Sequence, residues 1–95
     1  MFKHVVSFKL AEDKKGELEE AKKQLLSLDV IPEVKSVEVG VNALPSERSF
    51  EFVLIMDFEN KAAFDAYEVN EIHIPVRDYI HSIIADAVAV DYFTD

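Results

Sequence analysis

The segment from Phe50 to Phe58 constrains the fold of this 95-residue chain more than any other. In an extended backbone Phe50, Phe52, Leu54, Met56 and Phe58 share one face, while Val53 and Ile55 occupy the middle of the other. A strand apolar on both sides needs cover on both, so it belongs at the centre of a sheet. Two weaker period-two patterns supply neighbours. Near the N-terminus Phe2, His4, Val6, Phe8 and Leu10 alternate with Lys3, Val5, Ser7 and Lys9, and from Val34 to Asn42 the valines Val37, Val39 and Val41 alternate with Ser36, Glu38 and Gly40. The closing Ala-Val-Ala-Val-Asp-Tyr-Phe reads as a fourth strand.

Between these strands the period lengthens to that of helices. From about Asp13, Leu18, Ala21, Leu25 and Leu28 recur every three or four residues among charged ones, and Pro32 ends the pattern because the residue before proline avoids helical geometry. Asn60 suits an N-cap for a second helix carrying Ala63, Phe64 and Tyr67. Pro75 suits the first turn of a third, carrying Val76, Tyr79, Ile80, Ile83 and Ile84. The order βαββαβ is the ferredoxin-like split unit, an α+β sandwich with a four-stranded antiparallel sheet and helices on one face. One domain spanning residues 1–95 is expected, and 49% hydrophobic residues suffice for its core.

Composition removes several function classes. A formal net charge of -9, with Lys14, Lys15, Lys22 and Lys23 interleaved among Glu12, Glu17, Glu19 and Glu20, argues against a nucleic-acid partner. The absence of cysteine removes disulfides, thiolate nucleophiles and Cys-ligated zinc, which suits the cytoplasm. The alternating N-terminus reads as neither signal peptide nor membrane span, so no membrane partner is expected. The three histidines are separated, and the acidic runs look solvated, so no metal is expected. His81 falls outside the apolar stripe of its helix and reads as a surface residue. Tyr79 and Tyr92 read as amphipathic structural residues.

If helices cover the face bearing Phe2, Val6, Phe8, Phe52, Leu54 and Met56, then Val5, Ser7, Val53, Ile55 and the valines of the second strand are expected on the other side. An apolar patch of that kind is seldom left wet, and packing it on a second copy makes a homodimer through the open sheet face.

The stretch Tyr67 to Pro75 places a tyrosine and a histidine at a break between two apolar-faced helical patterns. In a continuous helix Tyr67 and His73 would point about 120° apart. Cooperation therefore needs the break, which Pro75 provides by biasing Ile74 out of the helical region and Asn70 by adopting a left-handed turn. In an enzymatic reading His73 removes a proton from a carbon next to a carbonyl, and Tyr67 steadies the developing enolate oxygen. In a structural reading His73 belongs to a helix-start network and Tyr67 to the core. His4 divides the same way, between hydrogen-bonded core residue and ligand contact.

The opening Lys-His-Val-Val-Ser-Phe-Lys-Leu, the strand Val-Glu-Val-Gly-Val-Asn, Asp-Ala-Tyr before the histidine and the closing Val-Asp-Tyr resemble the stress-responsive A/B barrel domain, or Dabb, family over essentially the whole chain. The resemblance implies a ferredoxin-like unit whose dimer forms an α+β barrel. Most members have no established reaction, and one plant branch cyclises linear polyketide thioester products without a cofactor, using a tyrosine and a histidine between sheet and helices. Tyr67 and His73 match that pair as catalytic candidates, and His4 matches a histidine of the first strand. Asn70 and Glu71 stand where the family commonly has His-Pro. Phe52 stands where the cyclase branch has another histidine, which makes the pocket more apolar. The expected ligand contacts are His4, Val6, Phe8, Phe52, Leu54, Met56 and Asn70, with Phe2 also in the pocket, for a small, partly apolar molecule and no cofactor. The alternatives are a non-enzymatic dimerisation or stress-protective module and, by fold analogy, a monooxygenase-like member of the dimeric α+β barrels.

Overall fold

The computed structural model describes residues 1–94. Strands β1 (Phe2–Leu10), β2 (Val34–Val41), β3 (Phe52–Phe58) and β4 (Ile84–Phe93) form one four-stranded sheet in the order β2-β3-β1-β4. All three pairings are antiparallel. Helices α1 (Leu18–Leu26), α2 (Lys61–Glu68) and α3 (His73–Ile83) complete a ferredoxin-like fold. The buried sheet residues Phe2, Val6, Phe8, Leu10, Phe52, Leu54, Met56 and Phe58 share a core with Ala21, Leu25, Tyr67, Val76 and Ile80 of the helices, so one sheet face carries the helical layer. As the two-faced pattern required, β3 is an inner strand, with every second residue buried and the intervening ones half-buried.

The register corrects the expected placement of the second-strand valines. Val37, Val39 and Val41 pair with Met56, Leu54 and Phe52 and therefore face the helices. A register shift between Val34 and Ser36 is responsible: the extra residue of a bulge reverses the alternation, so buried Val34 and Val37 share a face despite their odd spacing. The open face instead carries Val5, Ser7, Val53, Ile55, Val88, Val90 and Tyr92, with Lys3, Ser36, Glu38 and Asp57 at its polar edge. There Lys3 Nζ lies 3.1 Å from Asp57 Oδ1, and the Ser36 hydroxyl donates to Asp57 Oδ2 at 2.8 Å. Those bonds, Ser36 first, hold the Asp57 carboxyl below its ordinary value.

Three element boundaries also differ from expectation. Residues Glu12–Glu17 form a 3-10 turn with no buried side chain, and α1 starts only at Leu18, the first apolar residue available to anchor it. The strand expected from Phe50 begins at Phe52. Glu51 turns its carboxylate onto the Leu10 N–H at 2.6 Å and Lys15 Nζ at 3.0 Å, so Phe50 stays in the preceding loop. Finally, β4 starts directly from α3 at Ile84, where Ala11 N–H donates to the Ile83 carbonyl at 2.9 Å.

Candidate functional site

The break between α2 and α3 is built by asparagines at both ends of α2. Asn60 is extended and its side chain accepts the Ala63 N–H at 2.9 Å, which starts α2 with Phe64 and Tyr67 turned inward. After Glu68 the chain turns through Asn70. Its side-chain oxygen accepts the Ile72 N–H at 2.7 Å, and its carbonyl accepts from His73 at 3.0 Å and Ile74 at 3.1 Å. Asn70 therefore caps the turn that leads into α3, while Ile72, next to the helix, makes no side-chain cap bond. No residue, glycine included, has positive φ among the described residues, which corrects the expected left-handed turn. Pro75 does not make the break either: Ile74 is helical, and the proline sits in the first turn of α3, where its missing N–H is tolerated.

This turn packs His73 against Tyr67, with ring centroids 4.1 Å apart and the rings tilted by 32°. Tyr67 is 2% exposed and His73 7%. His73 Nδ1 lies 3.1 Å from the Glu68 carbonyl, which can only accept, so in the neutral ring Nδ1 carries the hydrogen and Nε2 the lone pair. Among the described residues neither Nε2 nor the Tyr67 hydroxyl has a hydrogen-bond partner, and neither is sealed from solvent. Burial holds the His73 pKa below its ordinary value. The Glu68 carbonyl and carboxylate oppose that shift, while Arg77 and His4 add to it. Burial also pushes the Tyr67 hydroxyl up, with a contribution from the Glu68 charge, so it stays protonated. The site thus couples an uncharged imidazole with a free lone pair to a neutral hydroxyl donor.

Both rings border a cavity of about 310 Å³, open to solvent. Of the expected contacts, His4, Val6, Phe8 and Leu54 line it. Phe2, Phe52, Met56 and Asn70 do not. Phe64 and Tyr67 pack over Phe58 at 5.3 and 5.1 Å and close the layer above β3, so Met56 is sealed in the core. Phe52 stacks on Phe8 at 4.9 Å and borders a second hollow with Ser7, Gly40 and Phe50. Asn70 is spent on capping. The cavity lies instead over β1 and β4, where Ala87 opposite Phe8 leaves room beneath α3.

Its remaining walls include Leu25, Leu28, Val76 and Ile80, with Glu68, Arg77 and His81 as further polar groups. His81 is exposed, as its position outside the apolar stripe suggests, yet it faces this cavity. The four-residue spacing of His73, Arg77 and His81 was the available signal for a single stripe along α3. His4 is not surrounded by apolar groups alone, because its Nδ1 bonds the Asp91 carboxylate across the β1–β4 pair and its ring lies 5.0 Å from Phe64. No cluster of three or more metal-ligating side chains occurs among the described residues. Tyr79 donates its hydroxyl to Glu17 Oε1 at 2.7 Å, and burial, reinforced by Glu17, pushes its pKa up to about 12.

A four-stranded antiparallel sheet under three helices, with a cavity between the layers, defines a ferredoxin-like α+β domain. The chain belongs to the stress responsive A/B barrel domain family, whose model matches residues 2–94. It is similar to a protein from Bacteroides fragilis NCTC 9343 described as dimeric, of unknown function and ferredoxin-like in fold, at 25% identity over 98% of this chain and 95% of that one (TM-score 0.86). A Dabb family protein from Mesorhizobium loti is 26% identical over 99% and 96% of the two chains (TM-score 0.75). An antibiotic biosynthesis monooxygenase shares the fold at 15% identity over 100% and 99% (TM-score 0.80). No curated protein matches the chain.

Proposed function

We propose that the sheet–helix cavity binds a small, partly apolar molecule and that His73 and Tyr67 carry proton-transfer chemistry on it. The observation that carries this reading is the close ring pair itself: two buried polar rings, whose His73 Nε2 and Tyr67 hydroxyl make no hydrogen bond among the described residues, bordering a cavity with mainly apolar walls. His73 Nε2 accepts a proton from a carbon next to a carbonyl. The C–H electron pair forms the C=C bond of an enolate as the carbonyl π pair moves onto oxygen, where the Tyr67 hydroxyl donates to the new negative charge. The step is of the kind used in polyketide cyclisation and needs no cofactor.

A second copy covers the open sheet face, giving a homodimer. Val88 and Val90 are 56% and 65% exposed there, beside half-buried Val5, Val53 and Ile55, and the Bacteroides fragilis relative is described as dimeric. The reading in which dimerisation is the whole function requires the interlayer space to be filled by Phe and Met side chains. The cavity against Tyr67 weighs against it. The monooxygenase likeness is one of fold alone.

Titration calorimetry with 1-naphthalenemethanol, a neutral and mainly apolar probe, tests the binding claim. Saturable binding is expected in the wild type, weakened about tenfold or more in His73→Ala and abolished in Ala87→Phe, which fills the cavity from exposed β4. Equal affinity in all three folded proteins would sink the proposal.

A further inference from the structure

We infer that the cavity is built for an acidic ligand, whose anionic group is held at the α3 rim by Arg77 and His81 while its apolar body lies between the layers. The inference rests on the cavity being a ligand site and adds the chemical class of the ligand.

The first support is placement. His73, Arg77 and His81 follow one another at four-residue intervals on α3 and all line the cavity. They form one polar stripe running outward from the buried imidazole to the exposed rim. The second is charge. The chain carries a formal net charge of -9, yet among the described residues Glu68 is the one acid lining this cavity, matched by the cation Arg77, and the other titratable groups there are the histidines His4, His73 and His81. With 19 acidic and 10 basic residues in the chain, an average lining would hold about two acids for each base.

The neighbouring carboxylates are, moreover, turned to other tasks. Glu68 Oε2 stands 3.9 Å from His73 Nδ1, the ring atom opposite the one with the free lone pair. Asp91 is engaged by His4. Arg77 reaches the adjacent Asp78 through Nε at 3.3 Å and Nη2 at 3.2 Å, long contacts between two exposed side chains. Among the described residues Nη1 makes no hydrogen bond. A guanidinium is permanently charged and presents paired donors that match a carboxylate. Its position beside His73 also disfavours a second positive charge there, so anion binding and a neutral base coexist in one site. Val6, Phe8, Leu54 and Ile80 supply the apolar wall for the rest of the molecule.

The test compares 1-naphthoate with 1-naphthalenemethanol, which share a ring system and differ in charge. At pH 7 and low salt the wild type should bind the acid about tenfold more tightly than the alcohol, as charge-assisted hydrogen bonds allow. Arg77→Gln should bring that ratio close to one, and Arg77→Lys should recover part of it. Equal binding of acid and alcohol by the wild type, or an undiminished preference in Arg77→Gln, would overturn the inference and leave the cavity reading standing. If the wild type bound neither compound, both would fall.

Discussion

Tyr67→Phe separates a functional hydroxyl from a structural one. The ring packs against Phe58 at 5.1 Å, Phe64 at 6.0 Å and His73 at 4.1 Å, and phenylalanine keeps all three contacts. The hydroxyl has no protein partner among the described residues, so its removal breaks no hydrogen bond in the fold. A buried polar group left unpaired costs about 1–3 kcal/mol. Because this hydroxyl touches cavity solvent, the lower end applies, and the variant should be unchanged or stabilised by up to about 1 kcal/mol. For a domain of this size that is a rise in Tm of about 0–8 °C. Urea and thermal unfolding followed by circular dichroism would measure it, alongside a fall of about tenfold in affinity for an oxygen-bearing probe such as 1-naphthalenemethanol. A loss of more than about 1 kcal/mol would refute the reasoning, because it would mean that the fold itself uses the hydroxyl.

Three further outcomes follow from the same geometry. Asn70→Ala removes the side-chain acceptor at the start of α3 and should cost about 1 kcal/mol in urea unfolding, with Asn70→Asp retaining most of it; no loss in the alanine variant would place the cap elsewhere. His73 has a lowered folded-state pKa, so its contribution is intact above the unfolded value of about 6.5 and is lost as pH falls from there through the folded value. Stability measured from pH 8 to 5 should therefore fall more steeply in the wild type than in His73→Gln, and parallel curves would contradict the assignment. Val90→Asp, at an exposed position on the open sheet face, should yield a folded monomer in native mass spectrometry, whereas a persistent dimer would move the interface away from that face.

Strand number, order of elements and the buried sheet face were legible because they depend on alternation within each strand and on the doubly apolar β3. Alternation is blind to irregularity. The bulge between Val34 and Ser36 sends Val37, Val39 and Val41 to the helix side, and only the pairing with β3 reveals it. The Tyr67–His73 break was visible, but its cause was not. Pro75 and a left-handed Asn70 were both expected to make it, whereas Asn70 acts without positive φ, through a short side chain that bonds the backbone two residues on. Sequence also could not say which part of the sheet α3 would leave uncovered, so Phe52 and Met56 were expected in the pocket. His81 was read by its polarity as a surface residue and Arg77 was not singled out, because a helix stripe facing a cavity has the same periodicity as one facing water.

The most direct test of the central claim is amide chemical-shift mapping of the ¹⁵N-labelled protein during titration with 1-naphthalenemethanol. Saturable shifts should cluster at Tyr67, His73, Val76, Arg77 and Leu28 around the cavity and vanish in Ala87→Phe. Shifts confined to the open sheet face near Val53, Val88 and Val90, or none at millimolar probe, would contradict a ligand site between sheet and helices.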